Sequence, residues 1–447
     1  HAIPTPLPSA YHFINTLLAN PRVAQIWREP RATAPKPAGD GGTPPKPLAG
    51  VRVMDSSWIV AGPVTAKWLA LAGADVLKIE SMKRPDPGRM TGPFPLGKPF
   101  RDGSAGWPNL NANKRSVAID ISHPRARDLL LRLGAQADIV LENFSAGVMV
   151  RHQLGYEDLR AVNPGIIMIA MSLQGQTGSR AHQPGVGSHV QMRSGLDAIT
   201  GFSDAKPGGP AVFLPDMLGP WIGIAGLLAA LEHRKLTGVG QYIDLSQYEA
   251  MLLWMQPAIL HRELYGVDPP RKGNASDNAG PHGVFPLSGD DRWIAIECLS
   301  DDDWRRLWSF LPAAAQAAFP AGSTLQQRLD RRVELEAAIA GWTKGQDGSE
   351  LMARLQAAGI GAHVVFDTLD LLHDPQLEAR EHCRYLEHSI LGPLPVEKPA
   401  FRPQSWSLDP ITLGPLYASG TASGLKEWLG IDDDEIADLA ADSVITF

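Results

Sequence analysis

The amino-acid sequence predicts an α/β fold with a large, doubly wound parallel sheet and a smaller α+β domain. Short apolar strands are predicted at residues 51–55, 76–79, 116–121, 138–141, 166–172 and 241–245. Predicted helices at 64–72 and 125–135 alternate with these strands. Such alternation is typical of a parallel sheet covered on both faces. Ligands of these sheets usually bind at the carboxyl ends of the strands.

Residues 1–48 are predicted to form an N-terminal arm that ends in a proline-rich linker. Apolar residues at helical spacing within 11–27 indicate a short amphipathic helix. Six prolines fall between residues 28 and 47, a density typical of an extended segment. We therefore expect the arm to dock on a neighbouring surface, because a short helix needs a partner for its apolar face.

The regular α/β pattern assigns residues 49–250 to the large domain. The pattern changes after Pro269, where a loop at 280–289, a strand at 293–297 and helices at 304–311 and 325–341 follow. These features predict linkers and a small domain within residues 251–369. The acidic helical tail at 423–441 is expected to return to the first domain, so that residues 370–447 complete the large domain.

Composition excludes several classes of function. The chain has 447 residues, 44% hydrophobic and 20% charged, with a formal net charge of -7. No basic stripe indicates nucleic acid, and the spacing of Cys298 and Cys383 suits neither a zinc site nor a disulfide framework. The apolar runs at 59–72 and 222–231 are too short to span a bilayer. With no signal-peptide pattern at the start of the sequence, we expect a cytoplasmic protein that binds no metal, membrane or nucleic acid.

Asp216 is the principal candidate for a catalytic residue. It follows Pro215 and precedes an apolar helix predicted at 221–235. The unpaired N–H groups and the positive dipole end of such a helix favour an ionised carboxylate, and they can stabilise an oxyanion beside it. The simpler interpretation is an aspartate that caps the helix, and local sequence alone favours it.

Motifs along the chain connect Asp216 to a known family. In order, they are Ala61-Gly62-Pro63, Gly73-Ala74-Asp75-Val76-Leu77-Lys78-Ile79-Glu80, Asn111-Ala112-Asn113-Lys114-Arg115-Ser116, Ala137-Asp138-Ile139-Val140-Leu141-Glu142-Asn143-Phe144, Gly175-Gln176-Thr177-Gly178, Thr200-Gly201, Pro215-Asp216 and Leu236-Thr237-Gly238-Val239-Gly240-Gln241. Together they resemble the class III CoA-transferase family, which includes formyl-CoA transferases and crotonobetaine/carnitine CoA-transferases. The resemblance is strongest between residues 47 and 265.

The resemblance implies a fold, a reaction and an assembly. The resemblance implies an interlocked homodimer, in which the large domain is built from both chain ends. A hetero-oligomer with a related subunit is the alternative. Asp216 occupies the position of the family nucleophile, which forms an aspartyl anhydride and then an enzyme–CoA thioester. The implied substrates are an acyl-CoA and a small carboxylic acid, with no tightly bound cofactor. Asp204 is the competing acid, and we interpret it as an Asx-turn residue.

The resemblance also assigns residues to the two ends of the substrate. Those on the CoA side are Val60, Ala61, Arg84, Lys114, Arg115 and Val140, and those on the acid side are Gln174, Val186 and Gly187. CoA needs cations for its phosphates, which Lys114, Arg115 and Arg84 would supply, with Lys83 as a further candidate. The alternative is a solvated strand edge for the first two and an exposed charged loop for Lys83 and Arg84.

Departures from the family pattern leave other functions open. Val186 stands where the related α-methylacyl-CoA racemases carry histidine, so proton transfer beside the thioester is poorly supported. Val60 replaces a glutamine of formyl-CoA transferases, and Gly187 replaces an acidic residue of several transferases. The alternatives are a CoA-ester isomerase or racemase on the same fold, and a CoA-binding subunit of a hetero-oligomeric transferase. These residues do not select one acid as substrate.

Overall fold

A parallel sheet organises the protein in the computed structural model, which describes residues 44–447. Within those residues, its strands are β1 (Arg52–Asp55), β2 (Asp75–Glu80), β3 (Arg115–Ala118), β4 (Ile139–Glu142), β5 (Ile167–Ala170) and β6 (Gln241–Asp244). They lie in the order β3-β2-β1-β4-β5-β6, and each neighbouring pair is parallel. The predicted α/β class with a large parallel sheet is confirmed. The predicted helix at 11–27, like the rest of the arm up to residue 43, lies outside the described residues.

The burial of each strand follows its place in the sheet. β4 and β5 are central and buried along their whole length, whereas the edge strand β6 alternates between half-buried and exposed residues. In β1, Val53 and Met54 face opposite cores, as the two-residue period of a strand requires. The chain runs outward from β1 through β2 to β3 and then returns to β4 beside β1, so the order reverses between β1 and β4.

Helices cover both faces of this sheet. Within residues 44–447 they are α1 (Ala61–Leu71), α2 (Trp107–Leu110), α3 (Ala126–Gln136), α4 (Val148–Arg151), α5 (Tyr156–Val162), α6 (Gly187–Arg193), α7 (Leu196–Ile199), α8 (Leu214–Thr237), α9 (Gln247–Leu252), α10 (Gln256–Tyr265), α11 (Asp301–Trp308), α12 (Ala313–Ala318), α13 (Leu325–Asp330), α14 (Arg332–Thr343), α15 (Gly348–Ala357), α16 (Thr368–Leu372), α17 (Pro375–Ala379), α18 (Thr421–Leu429) and α19 (Asp433–Ala441). α1 and α8 pack on one face, and α3, α18 and α19 pack on the other.

Antiparallel sheets follow the parallel one. β7 (His282–Pro286), β8 (Trp293–Glu297) and β9 (Gly361–Val364) form one of them, with its own core, and β10 (Cys383–His388) pairs with β11 (Gly392–Glu397). The C-terminal segment returns to the parallel sheet, where Ile445 bridges Ile119 beyond the end of β3. Both regions belong to one compact unit, Pro47–Arg402 with Leu408–Phe447. The domain boundaries at 250 and 369 stay a prediction.

Helix α8 is longer than its sequence indicated. It spans 24 residues, and by length and composition alone it could cross a membrane. Core helices of soluble proteins meet the same criterion, and Leu227, Ala230 and Leu231 of α8 lie in the core against the parallel sheet. The opposite side of the helix is apolar and open, because the side chains of Trp221 and Leu228 are exposed.

Four buried charges lie beneath the turn that follows β1. Asp55 pairs with Lys114 at 2.8 Å and Lys78 pairs with Asp86 at 3.2 Å, and all four side chains are inaccessible to solvent. Burial alone would raise the pKa of Asp55, but the ammonium groups of Lys114 and Lys78 outweigh it and hold that pKa below its ordinary value. Lys78 also donates a hydrogen bond to the carbonyl of Ser57. The cluster is neutral as a whole, so each charge depends on its partner.

Replacing Lys114 by methionine should strongly destabilise the protein. The substitution leaves Asp55 charged and without its nearest partner in a dry environment, which typically costs about 3–5 kcal/mol. We expect a loss of that size in the free energy of unfolding measured with urea. Lys83→Met is the control, because the Lys83 side chain is 67% exposed and its pair with Asp120 should contribute less than about 1 kcal/mol. Equal losses of stability in the two variants would contradict the burial of the Lys114–Asp55 pair.

Candidate active site

A cavity of about 700 Å³ opens at the carboxyl ends of the strands. This active-site cavity is lined by residues that follow five successive strands of the sheet, among them Ser56, Ser81, Asp120, Asn143 and Ser172. Its volume falls within the usual range for small-molecule and cofactor sites. The location agrees with the position of ligands in doubly wound sheets, outside the strand ends where the strand order reverses.

The turn after β1 forms one wall of the cavity and is held in an unusual conformation. Ile59 has a φ of 63°, which is a genuine outlier for a β-branched residue. Its N–H donates to Asp86 Oδ1 at 2.8 Å, and the N–H of Trp58 donates to Asn143 Oδ1 at 2.7 Å. Strained backbone of this kind persists only where its surroundings over-determine it. The buried charge cluster supplies Asp86 and thereby fixes this wall.

Asp216 lies on another wall, within the first turn of α8. The helix begins at Leu214 and its N-cap residue is Phe213, so Asp216 is not the capping residue that the simpler interpretation assumed. Its place in the first turn still favours negative charge. Within residues 44–447, the Asp216 carboxylate accepts no hydrogen bond and forms no ion pair. It therefore faces the cavity as an unpaired acceptor.

Burial determines the acidity of Asp216. Desolvation raises its pKa from 3.8 to about 6, because removal from water disfavours the charged form. At pH 7 roughly nine in ten carboxylates remain ionised at such a pKa. The group is thus still charged, more basic than an ordinary aspartate and poorly solvated. These properties suit a carboxylate that attacks an electrophilic carbonyl carbon.

The cavity brings together six of the residues predicted from the sequence. They are Val60, Ala61, Arg84, Val186, Gly187 and Asp216. Arg84 is exposed and forms no side-chain ion pair within the described part of the chain, so its guanidinium is free to meet a phosphate. Val186 supplies no group that can transfer a proton, so the position that carries histidine in the racemases offers no such base here. Asp204 lies in an exposed turn outside the cavity lining.

Lys114 and Arg115 both have carboxylate partners away from the cavity lining. Lys114 is part of the buried charge cluster, and burial lowers its pKa to about 8 although Asp55 acts in the opposite direction. Arg115 pairs with Asp75 at 2.6 Å and with Glu427 at 2.7 Å. Neither the Lys114 ammonium group nor the Arg115 guanidinium belongs to the cavity lining, so their contact with a CoA phosphate stays a prediction.

Val140 and Gln174 also lie away from the cavity lining. Val140 is completely buried in the interior of β4, where its side chain belongs to the hydrophobic core. Gln174 is next to the lining residue Leu173 but does not itself contribute to the wall. A strand or loop motif identifies which segment approaches the cavity, whereas the direction of each side chain depends on the pleat and on packing.

Sequence reasoning missed several polar residues of the lining. Among them are Glu80, Asp120, Asn143, His152 and Gln247. Asn143 follows the strand predicted at 138–141, and Asp120 lies near the end of the strand predicted at 116–121, so the rule for ligands at strand ends points to both residues. His152 carries no such signal, because it ends a short helix away from any motif. Within residues 44–447, no cluster of His, Cys, Asp and Glu side chains is arranged to hold a metal ion.

Comparison with known proteins gives a consistent result. The family model described as CoA-transferase family III matches residues 48–417. The succinyl-CoA–D-citramalate CoA-transferase of Chloroflexus aurantiacus is 32% identical over 402 residues, 90% of this chain and 99% of that protein. The succinyl-CoA–L-malate CoA-transferase beta subunit of Chloroflexus aurantiacus is 30% identical over 412 residues, 91% of this chain and 100% of that protein.

A solved structure shows the same fold. The crystal structure of a CAIB/BAIF family protein from Brucella suis superposes with a TM-score of 0.78 at 28% sequence identity. The match covers 86% of this chain and 100% of that one. The parallel sheet and the antiparallel sheets described above are therefore an architecture that a family relative also adopts.

Replacing Asp216 by asparagine should stabilise the protein in a pH-dependent way. The folded state raises the pKa of Asp216 from 3.8 to about 6, so ionisation opposes folding fully above pH 6 and not at all below about pH 3.8. Asp216→Asn should therefore raise the free energy of unfolding by about 1–3 kcal/mol at pH 8, and by much less at pH 4.5. Urea unfolding at both pH values checks this, with Asp204→Asn as the exposed control. A gain that is the same at both pH values would contradict the burial of the Asp216 carboxylate.

Proposed function

The chain belongs to CoA-transferase family III, and from that premise we propose that it moves CoA from an acyl-CoA thioester to a carboxylic acid through covalent intermediates on Asp216. The observation that carries this proposal is the Asp216 carboxylate itself. It faces the cavity from the first turn of α8, it has no partner within the described residues, and burial makes it more basic. An aspartate with only a structural purpose would be paired or solvated.

The first half of the reaction transfers CoA to the enzyme. A carboxylate oxygen of Asp216 attacks the thioester carbonyl, the C–S bond breaks, and CoA leaves as a thiolate. The product is a mixed anhydride between Asp216 and the donor acyl group. The thiolate then attacks the γ-carbonyl of Asp216, which expels the donor acid as a carboxylate and leaves an enzyme–CoA thioester. Each step exchanges one acyl bond for another and consumes no proton. The division of one difficult transfer into two acyl exchanges lowers each barrier.

The second half returns the nucleophile to its starting state. The carboxylate of the acceptor acid attacks the γ-carbonyl of the thioester on Asp216, and CoA leaves again as a thiolate. The thiolate attacks the acceptor carbonyl of the new anhydride, which forms the product thioester and frees the Asp216 carboxylate. Water must be excluded throughout, because both kinds of intermediate hydrolyse. The apolar side chains of Ile59, Val60 and Phe213 in the lining support that exclusion.

The cavity and the relatives together support a proposal for the substrates. Arg84, unpaired within the described residues and part of the lining, is our candidate for contact with a CoA phosphate. The relatives named above use succinyl-CoA with citramalate and with malate. We therefore propose succinyl-CoA as donor and short hydroxydicarboxylic acids as acceptors, and we assign no tightly bound cofactor.

We further propose an interlocked dimer, in which the large domain at 49–250 and 370–447 and the region at 251–369 engage a partner chain. An exposed apolar strip supports this proposal. It consists of Trp221, Leu228, Leu253, Trp254, Leu260 and Leu264. Large apolar side chains left exposed in this number are typical of an interaction surface. A second copy of the chain is the simplest partner, and a related subunit is the alternative, because one relative is named as a beta subunit.

Asp216→Ala should abolish CoA transfer while acyl-CoA binding remains. We expect the initial rate with succinyl-CoA to fall at least about 1,000-fold, equivalent to about 4 kcal/mol, and Asp216→Asn to be equally inactive because an amide is a poor nucleophile. Asp204→Ala is the matched control and should keep most of the activity. Calorimetry with succinyl-CoA checks that binding is unchanged. An Asp216→Ala protein with more than about a tenth of the wild-type rate, a loss below ~1.4 kcal/mol, would refute the nucleophile.

Substitution within the apolar strip should weaken self-association. The Leu264 side chain is 71% exposed, and Leu264→Asp places a charge where an apolar contact is expected, so sedimentation should show dissociation at a higher protein concentration than for the wild type. Leu299→Asp is the control, because Leu299 is 66% exposed and lies outside the strip. A wild-type protein that remains a folded, active monomer at all concentrations would overturn the proposed dimer.

A further inference from the structure

We propose that Gly187 is a positioning residue for Asp216, because its missing side chain creates the surface on which the carboxylate rests. This inference goes beyond the proposed function by assigning a second residue to the same site, and its kinetic part depends on that function. Gly187 is the first residue of α6 and is buried in the wall of the cavity.

The contact between the two residues is close and specific. A Cβ atom added at Gly187 would lie 2.3 Å from Asp216 Oδ2, 2.8 Å from Cγ and 3.1 Å from Oδ1. These three nearest atoms all belong to one carboxylate. Real Cβ atoms do not approach other heavy atoms within 3.0 Å. The backbone of Gly187 does not have the positive φ that favours glycine, so glycine is required here for space and not for conformation.

The two walls that meet at this contact are tied together. The N–H of Leu214, at the start of α8, donates to Gln191 Oε1 on α6 at 3.3 Å. Ahead of α6, the N–H of Val186 donates to His189 Nδ1 at 3.2 Å, and the N–H of His189 donates to the Val186 carbonyl at 2.9 Å. These hydrogen bonds resist a shift of either helix start. In this chain a Cβ atom at position 187 would therefore displace the carboxylate, which is the end of the Asp216 side chain.

Glycine at position 187 also leaves the Asp216 carboxylate without a hydrogen-bonding side chain beside it. It presents neither a donor nor an acceptor from a side chain, so nothing at position 187 competes with the substrate carbonyl for the Asp216 oxygens. A hydroxyl or amide at this position would hydrogen-bond to the ionised form and make it a weaker base. Placement matters as well, because displacement of a reacting group by about 1 Å can cost a factor of about 100 in rate. Gly187 thus sets both the position and the partnerless state of the nucleophile.

The kinetic test compares two glycine substitutions near Asp216. Gly187→Ala should lower kcat for CoA transfer from succinyl-CoA at least about 100-fold, with KM for succinyl-CoA changed less than about 3-fold. The acid limb of the kcat/KM profile should also shift, because a displaced carboxylate has a different exposure to water. Gly219→Ala is the matched control, because Gly219 lies one turn after Asp216 on α8. The Cβ added there would meet Gln247 Cγ at an ordinary contact distance of 3.5 Å, so this variant should retain both kcat and the pH profile.

A thermal double-mutant cycle tests the contact without any reaction. Gly187→Ala should lower Tm or prevent folding, and addition of Asp216→Ala should restore most of the loss, since it removes the three atoms nearest to the new Cβ. A double variant that stays as unstable as Gly187→Ala would overturn the contact, and wild-type kcat in Gly187→Ala would overturn the positioning of Asp216. If the cycle shows coupling but the wild type transfers no CoA, the contact stands and the proposed reaction falls.

Discussion

The active-site cavity depends on the buried charges beneath the turn after β1. Asp86 connects the two, because its Oδ1 atom accepts from the N–H groups of Ile59 and Gly88 while the same carboxylate pairs with Lys78. Buried ion pairs rarely add stability beyond what apolar packing would give. Their value here is directional: each charge is fixed by its partner, and the cluster in turn holds a backbone conformation that the chain would not adopt alone. The conformation of this wall of the cavity is thus held by the buried charges beneath it.

Asp216, the proposed nucleophile, is in the opposite situation. Glu80 and Arg89 form a bidentate pair beside the cavity, whereas Asp216 has no partner within residues 44–447 and its pKa rises to about 6 through burial. An unpaired, partly buried carboxylate costs folding free energy. The same state increases its basicity and reduces the water that must leave before attack. Functional sites commonly sacrifice stability for reactivity in this way.

The sequence predicted the sheet well and the side chains of the site only in part. Short apolar runs that alternate with helical segments located all six parallel strands within a few residues, because strand formation depends on local pattern. The start of α8 was predicted too late in the sequence, because Pro215 and Pro220 both suggest a helix boundary. In the structure Pro215 is tolerated in the first turn, and Pro220 lies within the helix. Lys114 and Arg115 are neighbours with different partners, a distinction that only tertiary packing determines. The close approach of Asp216 to Gly187 likewise has no signal in the local sequence, because the φ of Gly187 is not positive.

The central claim is that Asp216 carries CoA covalently, and peptide mapping of the loaded enzyme tests it most directly. The protein would be incubated with succinyl-CoA without an acceptor, treated with borohydride to reduce any acyl thioester, digested and analysed by mass spectrometry. The account predicts that Asp216 is converted to the corresponding alcohol in a peptide from the first turn of α8, and that Asp216→Asn yields no such product. Reduction at another carboxylate, or efficient CoA transfer with no trapped residue, would contradict it.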